Sequence, residues 1–255
     1  MKTAVFIPVR ISSSRLPRKP LLKLGGKPAI EFLIQQMKSA KLPDIIVLCS
    51  TTNPKDKILS SIAERNNIEC FFGNEKDIIE RYVSAVEKYK IDFVVNVDGD
   101  DLLCDPLLVD KTIDVFLKKK SDVVLWDGLP FGCSPFGFTS DALKKVFKSK
   151  TEKNTETGWG SYFRNKDLFK IEIIHSDYSL KNPGIRMTLD YFEDYLFFNE
   201  IFKHLYAEGK TLHLKEVLRF LSTHPEIVRI NNKLQWEYWN QFKKKSVKGE
   251  MKSGS

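Results

Sequence analysis

The chain has 255 residues, 42% of them hydrophobic, with 41 Lys and Arg against 33 Asp and Glu, for a formal charge of +8. That length allows one large domain, or one domain with an appendage, and the apolar content supplies a sizeable core. No run approaches the ~20 apolar residues that span a bilayer, and the first residues enter a strand pattern with no secretory leader. The expected compartment is therefore the cytoplasm. Cys49, Cys70, Cys104 and Cys133 stand singly, without a C-x-x-C pair, and read as buried reduced thiols. The charge is uneven: between Lys243 and Lys252 five lysines face Glu250, so +4 of the +8 lies in a terminal tail. A solvated tail and an anion-binding loop account for the excess more economically than nucleic-acid binding.

Thr3–Val9 is a continuous apolar strand that opens into Arg10-Ile-Ser-Ser-Ser-Arg15-Leu-Pro-Arg-Lys19-Pro20. Arg10, Arg15 and Lys19 are spaced to converge, and serine hydroxyls and loop amides add short donors. Such a loop is built for an anion, with a triphosphate as its natural guest. It is not a P-loop, because no G-x-x-x-x-G-K-[ST] occurs. Residues 28–40 put Ile30, Leu33, Ile34 and Met37 on one helical face. Ile45–Cys49 is a buried strand, Asn53-Pro54 starts a helix, and Glu69–Phe72 is a short strand. Residues 76–89 form a helix, Phe93–Val97 a strand, Pro106 starts another helix, and Asp122–Trp126 is a strand. Continuous apolar strands alternating with amphipathic helices predict a Rossmann-like three-layer α/β sandwich. Its mostly parallel sheet should bind ligand at the carboxyl ends of the strands.

From about residue 127 Gly, Pro and aromatics crowd together. A helix near 140–149, a polar loop at 150–158, a mixed strand at 168–175 and helices near 192–206 and 214–221 follow. Residues 127–190 read as a small α+β insertion that caps the site and binds a second substrate. Residues 1–242 then form a single domain, and 243–255 a basic flexible tail.

A second signal is Val97-Asp98-Gly99-Asp100-Asp101 with Asp105-Pro106. Carboxylates this close repel and call for a cation; alone, Asp-Gly reads equally as a turn. Beside the first loop a metal is favoured. A third is Arg186-Met-Thr188-Leu-Asp190-Tyr-Phe-Glu193-Asp194. Asp190 reads as a helix N-cap with Glu193 completing a capping box, or as a metal ligand from a distant part of the chain, or both. The four histidines (175, 204, 213 and 224) have no partner at metal or triad spacing.

Together these segments resemble the cytidylyltransferase family, whose members include synthetases of CMP-activated acidic sugars. Arg10, Ser13, Arg15, Leu16, Pro17, Lys19 and Gly26-Lys27-Pro28 match its first motif. Asp100 and Asp190-x-x-Glu193-Asp194 match later ones. Phe72–Tyr82 and His224-Pro225-Glu226 are similar to the spore-coat-polysaccharide branch. The resemblance implies the nucleotide-diphospho-sugar transferase type of fold and a homodimer. It implies transfer of CMP from CTP to an acidic sugar, 2-keto-3-deoxy octulosonate- or nonulosonate-like, with pyrophosphate released, for surface polysaccharide or glycan synthesis. It makes Arg10, Arg15, Lys19, Asp100 and Asp190 catalytic, with Mg²⁺ on Asp100 and Asp190. Nucleotide contacts fall on Pro8, Val9, Arg10, Ser12, Ser13, Arg15, Lys19, Asn74, Asp77, Arg81 and Asp98; acceptor contacts fall on Asp98, Trp159 and Arg186. For Arg186 a surface salt bridge is an equal alternative, and Trp159 reads as either sugar contact or core.

The sequence also departs from the family pattern. Asp98 stands where some relatives carry Gln. Pro130–Gly137 and Glu156-Thr-Gly-Trp159-Gly-Ser-Tyr162 differ from the expected acceptor segments. Two other readings stay open: a phosphate- or phosphonate-bearing acceptor giving a CDP-type product, and a non-catalytic nucleotide-binding or scaffold protein.

Overall fold

The computed structural model describes residues 1–245, with side chains through Asn240. Strand β1 (Thr3–Pro8) is apolar and almost wholly buried, as a strand covered on both faces must be. A two-strand hairpin, β2 (Lys23–Leu24) and β3 (Lys27–Pro28), leads into α1 (Ala29–Lys38). Then come β4 (Ile45–Thr51), α2 (Ile58–Arg65), β5 (Glu69–Gly73) and α3 (Ile78–Tyr89). They are followed by β6 (Phe93–Asn96), α4 (Pro106–Lys119), β7 (Val123–Asp127), β8 (Phe136–Thr139) and α5 (Ser140–Ser149). The chain continues through β9 (Ile171–His175), α6 (Phe192–Leu205), α7 (Leu214–Thr223), α8 (Pro225–Val228) and α9 (Leu234–Lys245).

Seven strands form one sheet in the order β5-β4-β1-β6-β8-β7-β9. All neighbours are parallel except β8, which runs antiparallel to both β6 and β7. Successive residues of β1 point to opposite faces, as the strand period demands. Val5 and Ile7 join the core under α1, α4, α6 and α7. Ala4 and Phe6 join a second core under α3 and α5. This is the expected α/β three-layer sandwich with a mostly parallel sheet.

Segment 127–190 is more closely woven into the sheet than a separate small insertion would be. It supplies β8 and β9 to the main sheet, and its loop before Trp159 reaches the carboxyl ends of the strands. Gly137 in β8 has no room for a side chain, since a Cβ there would lie 2.4 Å from the Phe93 ring. The expected tail boundary after residue 242 falls inside α9, which runs to Lys245; residues 246–255 lie outside the described residues. Among the described residues no helix is long and apolar enough to cross a membrane.

Candidate active site

A cavity of about 440 Å³ opens at the carboxyl ends of β1 and β6, where ligands of open α/β sheets bind. Its floor is the turn after β6. The Val97 N–H donates to the Phe6 carbonyl (3.0 Å) and the Gly99 N–H to the Pro8 carbonyl (3.1 Å), so the acidic turn is pinned to the end of β1. Only glycine fits at 99, because a Cβ would stand 2.8 Å from the Pro8 oxygen. One wall is the cationic loop. Its start is fixed by Asp56, which accepts from the Ile11 N–H at 2.8 Å and from the Thr51 hydroxyl. Its middle is fixed by Ser13 Oγ, which accepts from the Leu16 N–H at 3.3 Å.

Asp190 arrives from far along the chain. The Leu189 N–H donates to the Asp100 carbonyl (2.9 Å), which docks the segment before α6 against the acidic turn. The same segment lies against residues 131 and 132 through Met187 N–H to Phe131 O (2.7 Å). That approach requires glycine at 132 (φ +88°), where a Cβ would meet the Met187 oxygen at 2.5 Å. Asp190 and Asp100 thus face the same ammonium. Lys19 Nζ pairs with Asp100 Oδ2 and, at 2.7 Å, with Asp190 Oδ1. Arg15 reaches Asp190 Oδ1 at 2.8 Å.

The electrostatics follow from this geometry. Burial favours the neutral form of Asp190, but Lys19 and Arg15 outweigh it and hold its pKa at about 2. Burial likewise opposes the charge of Lys19, and Asp100 and Asp190 more than compensate, so its pKa is raised. Asp98 opens into the cavity, yet protein surrounds it. The loss of bulk solvent and then repulsion from Asp100 raise it to about 6. Burial, Asp100 and Asp98 push Asp101 well above the carboxylate range. Asp98 is oriented by Asn96 Nδ2 (3.0 Å), which Tyr82 OH holds in turn at 2.6 Å.

Of the residues expected from sequence, Pro8, Val9, Arg10, Ser12, Ser13, Arg15 and Lys19 line the cavity. So do Arg81, Asp98, Asp100, Trp159 and Asp190. Three others, Asn74, Asp77 and Arg186, do not line it, and their side chains are engaged within the protein. Asn74 Oδ1 accepts from the Lys76 and Asp77 N–H groups (2.9 and 3.0 Å). Asp77 caps α3, accepting from the Ile79 and Glu80 N–H groups, and is buried against Thr155 (2.7 Å) and Lys150 (2.5 Å). Arg186 is fully buried, with Nε and Nη2 on Asp194 at 2.8 and 2.9 Å. The rings of Phe131, Tyr191 and Tyr238 surround its guanidinium. It is therefore a buried ion-pair partner that braces the Asp190 segment, neither an acceptor contact nor a surface salt bridge.

The helix-start expectation also shifts by one residue. Tyr191 is the N-cap of α6, and Asp194, not Glu193, folds back to accept from the Asp190 and Tyr191 N–H groups, each at 2.9 Å. Trp159 is 7% exposed and packs edge-on to Tyr82 and Phe163 while touching the cavity, so it is both core and wall.

The site contains residues that sequence reasoning missed. Glu156 pairs with Arg81 and, at 3.3 Å, with Arg10. Burial raises its pKa, and the pull of both guanidiniums offsets this only in part. Tyr238 of α9 lines the cavity, with the Arg15 guanidinium 5.6 Å from its ring centroid. Glu156 sits in the stretch whose departure from the family pattern marks it as unusual. Nothing in the weakly amphipathic α9 marks Tyr238. Among the described residues no histidine or cysteine lines the cavity.

The cytidylyltransferase family model matches residues 4–227. The chain belongs to the cytidylyltransferase family. It is an enzyme of the nucleotidyltransferase type. An uncharacterized protein of Methanocaldococcus jannaschii is 31% identical over 242 residues, 94% of this chain and 99% of that one. The spore coat polysaccharide biosynthesis protein SpsF of Bacillus subtilis is 24% identical over 230 residues, 87% of this chain and 94% of that one. A cytidylyltransferase from Leptospira borgpetersenii shares the fold, with a TM-score of 0.82 at 23% identity over 89% of this chain and 97% of that one.

Members of such a family handle a nucleoside triphosphate, and the site offers a test of fit for a divalent cation. Two carboxylates from distant segments converge on one point, which in this cytidylyltransferase is taken by the Lys19 ammonium. That is a hard-oxygen donor pair for Mg²⁺, which takes one or two carboxylates and completes its shell with phosphate oxygens and water. The residues fit the ion.

Proposed function

We propose that this cytidylyltransferase transfers CMP from CTP to an acidic sugar of the 2-keto-3-deoxy octulosonate or nonulosonate class, releasing pyrophosphate, for surface polysaccharide or glycan synthesis. The observation that carries the reading is the convergence of Asp100 and Asp190 on one cation beside the loop of Arg10, Arg15 and Lys19. In this reading an acceptor oxygen forms a bond to the α-phosphorus, the bond to the bridging oxygen of the β-phosphate breaks, pyrophosphate leaves with that oxygen, and the hydroxyl proton passes to solvent. Asp100 and Asp190 would hold Mg²⁺, which when bound would neutralise charge at the phosphates. Lys19 and Arg15, freed from the carboxylates they now neutralise, stabilise charge on the phosphate oxygens. Arg10, about half exposed, is positioned to do the same at the mouth.

The acidic-sugar class is supported by the resemblance of residues 10–28 to synthetases of CMP-activated acidic sugars. Arg15, whose guanidinium lies by the Tyr191 and Tyr238 rings on the α6 side of the cavity, adds positive charge on that side. A homodimer and a cytoplasmic location belong to the same reading, and light scattering of the purified chain checks the first.

The test is pyrophosphate release from CTP and Mg²⁺ across a panel of 2-keto-3-deoxy sugar acids, with mass spectrometry of the product. A CMP-sugar mass is expected. A CDP-type product from a phosphate- or phosphonate-bearing acceptor would replace this reading by the alternative.

A further inference from the structure

The cavity has a second polar feature, far less exposed than the phosphate loop. Arg81 on α3 is 2% exposed, and its Nη2 donates to Glu156 Oε1 while Nε donates to the Asn74 carbonyl at 3.0 Å. Glu156 comes from the loop after α5, so the pair joins two elements on the same face of the sheet. Around it the walls are flat and apolar: Ile78 at the first turn of α3, Trp159, and Pro8 and Val9 at the end of β1. A largely buried carboxylate beside a buried guanidinium, under apolar walls, suits a flat heterocycle with adjacent donor and acceptor atoms on one edge. A purely structural ion pair has no need to line a cavity.

We infer that Glu156 is the specificity residue that reads the exocyclic amine of cytosine, with Arg81 as its partner for the neighbouring ring nitrogen or carbonyl oxygen. The inference rests on the CTP reading above and deepens it. Cytosine presents an N4 amine donor next to the N3 and O2 acceptors. A carboxylate accepts from the amine, and a guanidinium donates to the acceptors. Uracil puts a carbonyl oxygen where the amine was, so the Glu156 carboxylate would face another acceptor instead of a donor. A site built around a buried hydrogen-bonding group rejects the ligand that lacks its counterpart by large factors. Both carboxylate oxygens of Glu156 face guanidiniums, Oε1 with Arg81 and Oε2 with Arg10, as an accepting carboxylate requires. Arg10 is shared between Glu156 and the phosphate loop, so base reading and phosphate binding lie side by side in one cavity.

The test is a titration of CTP and UTP, each with Mg²⁺, against the full chain and against Glu156→Gln, followed by calorimetry. The wild-type chain is expected to prefer CTP by at least about tenfold. In Glu156→Gln, whose amide can turn its NH₂ toward a carbonyl, the CTP-to-UTP ratio should collapse to within about threefold. A merely structural Glu156 would weaken both nucleotides together and leave the ratio unchanged, which overturns the inference while leaving the CTP reading intact. A wild-type chain that binds neither nucleotide overturns both. So that the outcome does not depend on the folding of Glu156→Gln, the same question is put to the wild-type chain with the triphosphate of 2-pyrimidinone riboside, which lacks the 4-substituent. Binding equal to that of CTP would also overturn the assignment, and a loss of tenfold or more supports it.

Discussion

Lys19 is the residue on which the site turns, because one ammonium neutralises both carboxylates that the metal reading requires. Lys19→Ala should abolish pyrophosphate release from CTP, and Asp100→Asn should do the same. Far-ultraviolet circular dichroism should be unchanged in both, since neither side chain holds the core together. Full turnover in either purified variant contradicts the assignment. Arg186 plays the opposite part. Removing one partner of a buried ion pair leaves an uncompensated charge and costs about 3–5 kcal/mol, so Arg186→Met should show first as a lower melting temperature. Arg186→Lys should rescue little, because a lysine cannot reproduce the bidentate contact with Asp194. The Asp190 side chain offers a pH signature in the metal-free chain. Its folded pKa is depressed to about 2, so its contribution is complete above the ordinary carboxylate range of about 4. That contribution is lost as pH falls toward 2, which acid unfolding of wild type against Asp190→Asn measures. These roles divide along what a sequence can express. Charged residues clustered on a short loop, as at Arg10, Arg15 and Lys19, betray their convergence by spacing. Arg186 lies close to Asp190 and Asp194 alike, and only the fold of the turn between them decides that Asp194 takes it.

At the scale of elements, the acidic residue at 105 shows how one carboxylate ties the sheet to the far helices. Asp105 caps α4 through the Leu107 N–H (2.9 Å) and also accepts from the Leu214 N–H of α7 (2.8 Å). Asp105→Ala removes both bonds from a buried position, and the loss of the cap alone costs about 1–2 kcal/mol; chemical denaturation is the readout. The start of α4 was legible because Pro106 suits the first turn of a helix, and Asp105 caps it. The antiparallel entry of β8 was not. Phe136–Thr139 is too short for a period to show, and its place depends on Gly137 slipping past the Phe93 ring. The reach of α9 was equally hidden, since its Tyr238 acts through contacts with Phe131 and Arg15 from distant segments. Ending the chain after Lys233 should therefore lower turnover more than it lowers CTP affinity, if α9 serves the acceptor side. Equal kcat with and without α9 would remove it from the site.

For the molecule as a whole, the sheet sets where chemistry happens. Two separate apolar cores hold helices on its two faces, and the cavity lies where β1 and β6 end between them. The alternation of buried strands and amphipathic helices made that architecture legible, along with the end of the sheet that binds ligand. The wall facing the cationic loop was less legible, because it is assembled from residues 131, 132, 156–159, 188 and 238, which no local pattern connects. The most direct measurement is thermal unfolding with Mg²⁺ and each of CTP, UTP, GTP and ATP in turn, since a ligand at about 100 times its dissociation constant adds about 2.7 kcal/mol of stability. The account predicts a Mg²⁺-dependent rise with CTP well beyond that with the other three. No rise with CTP, or an equal rise with all four, would contradict it.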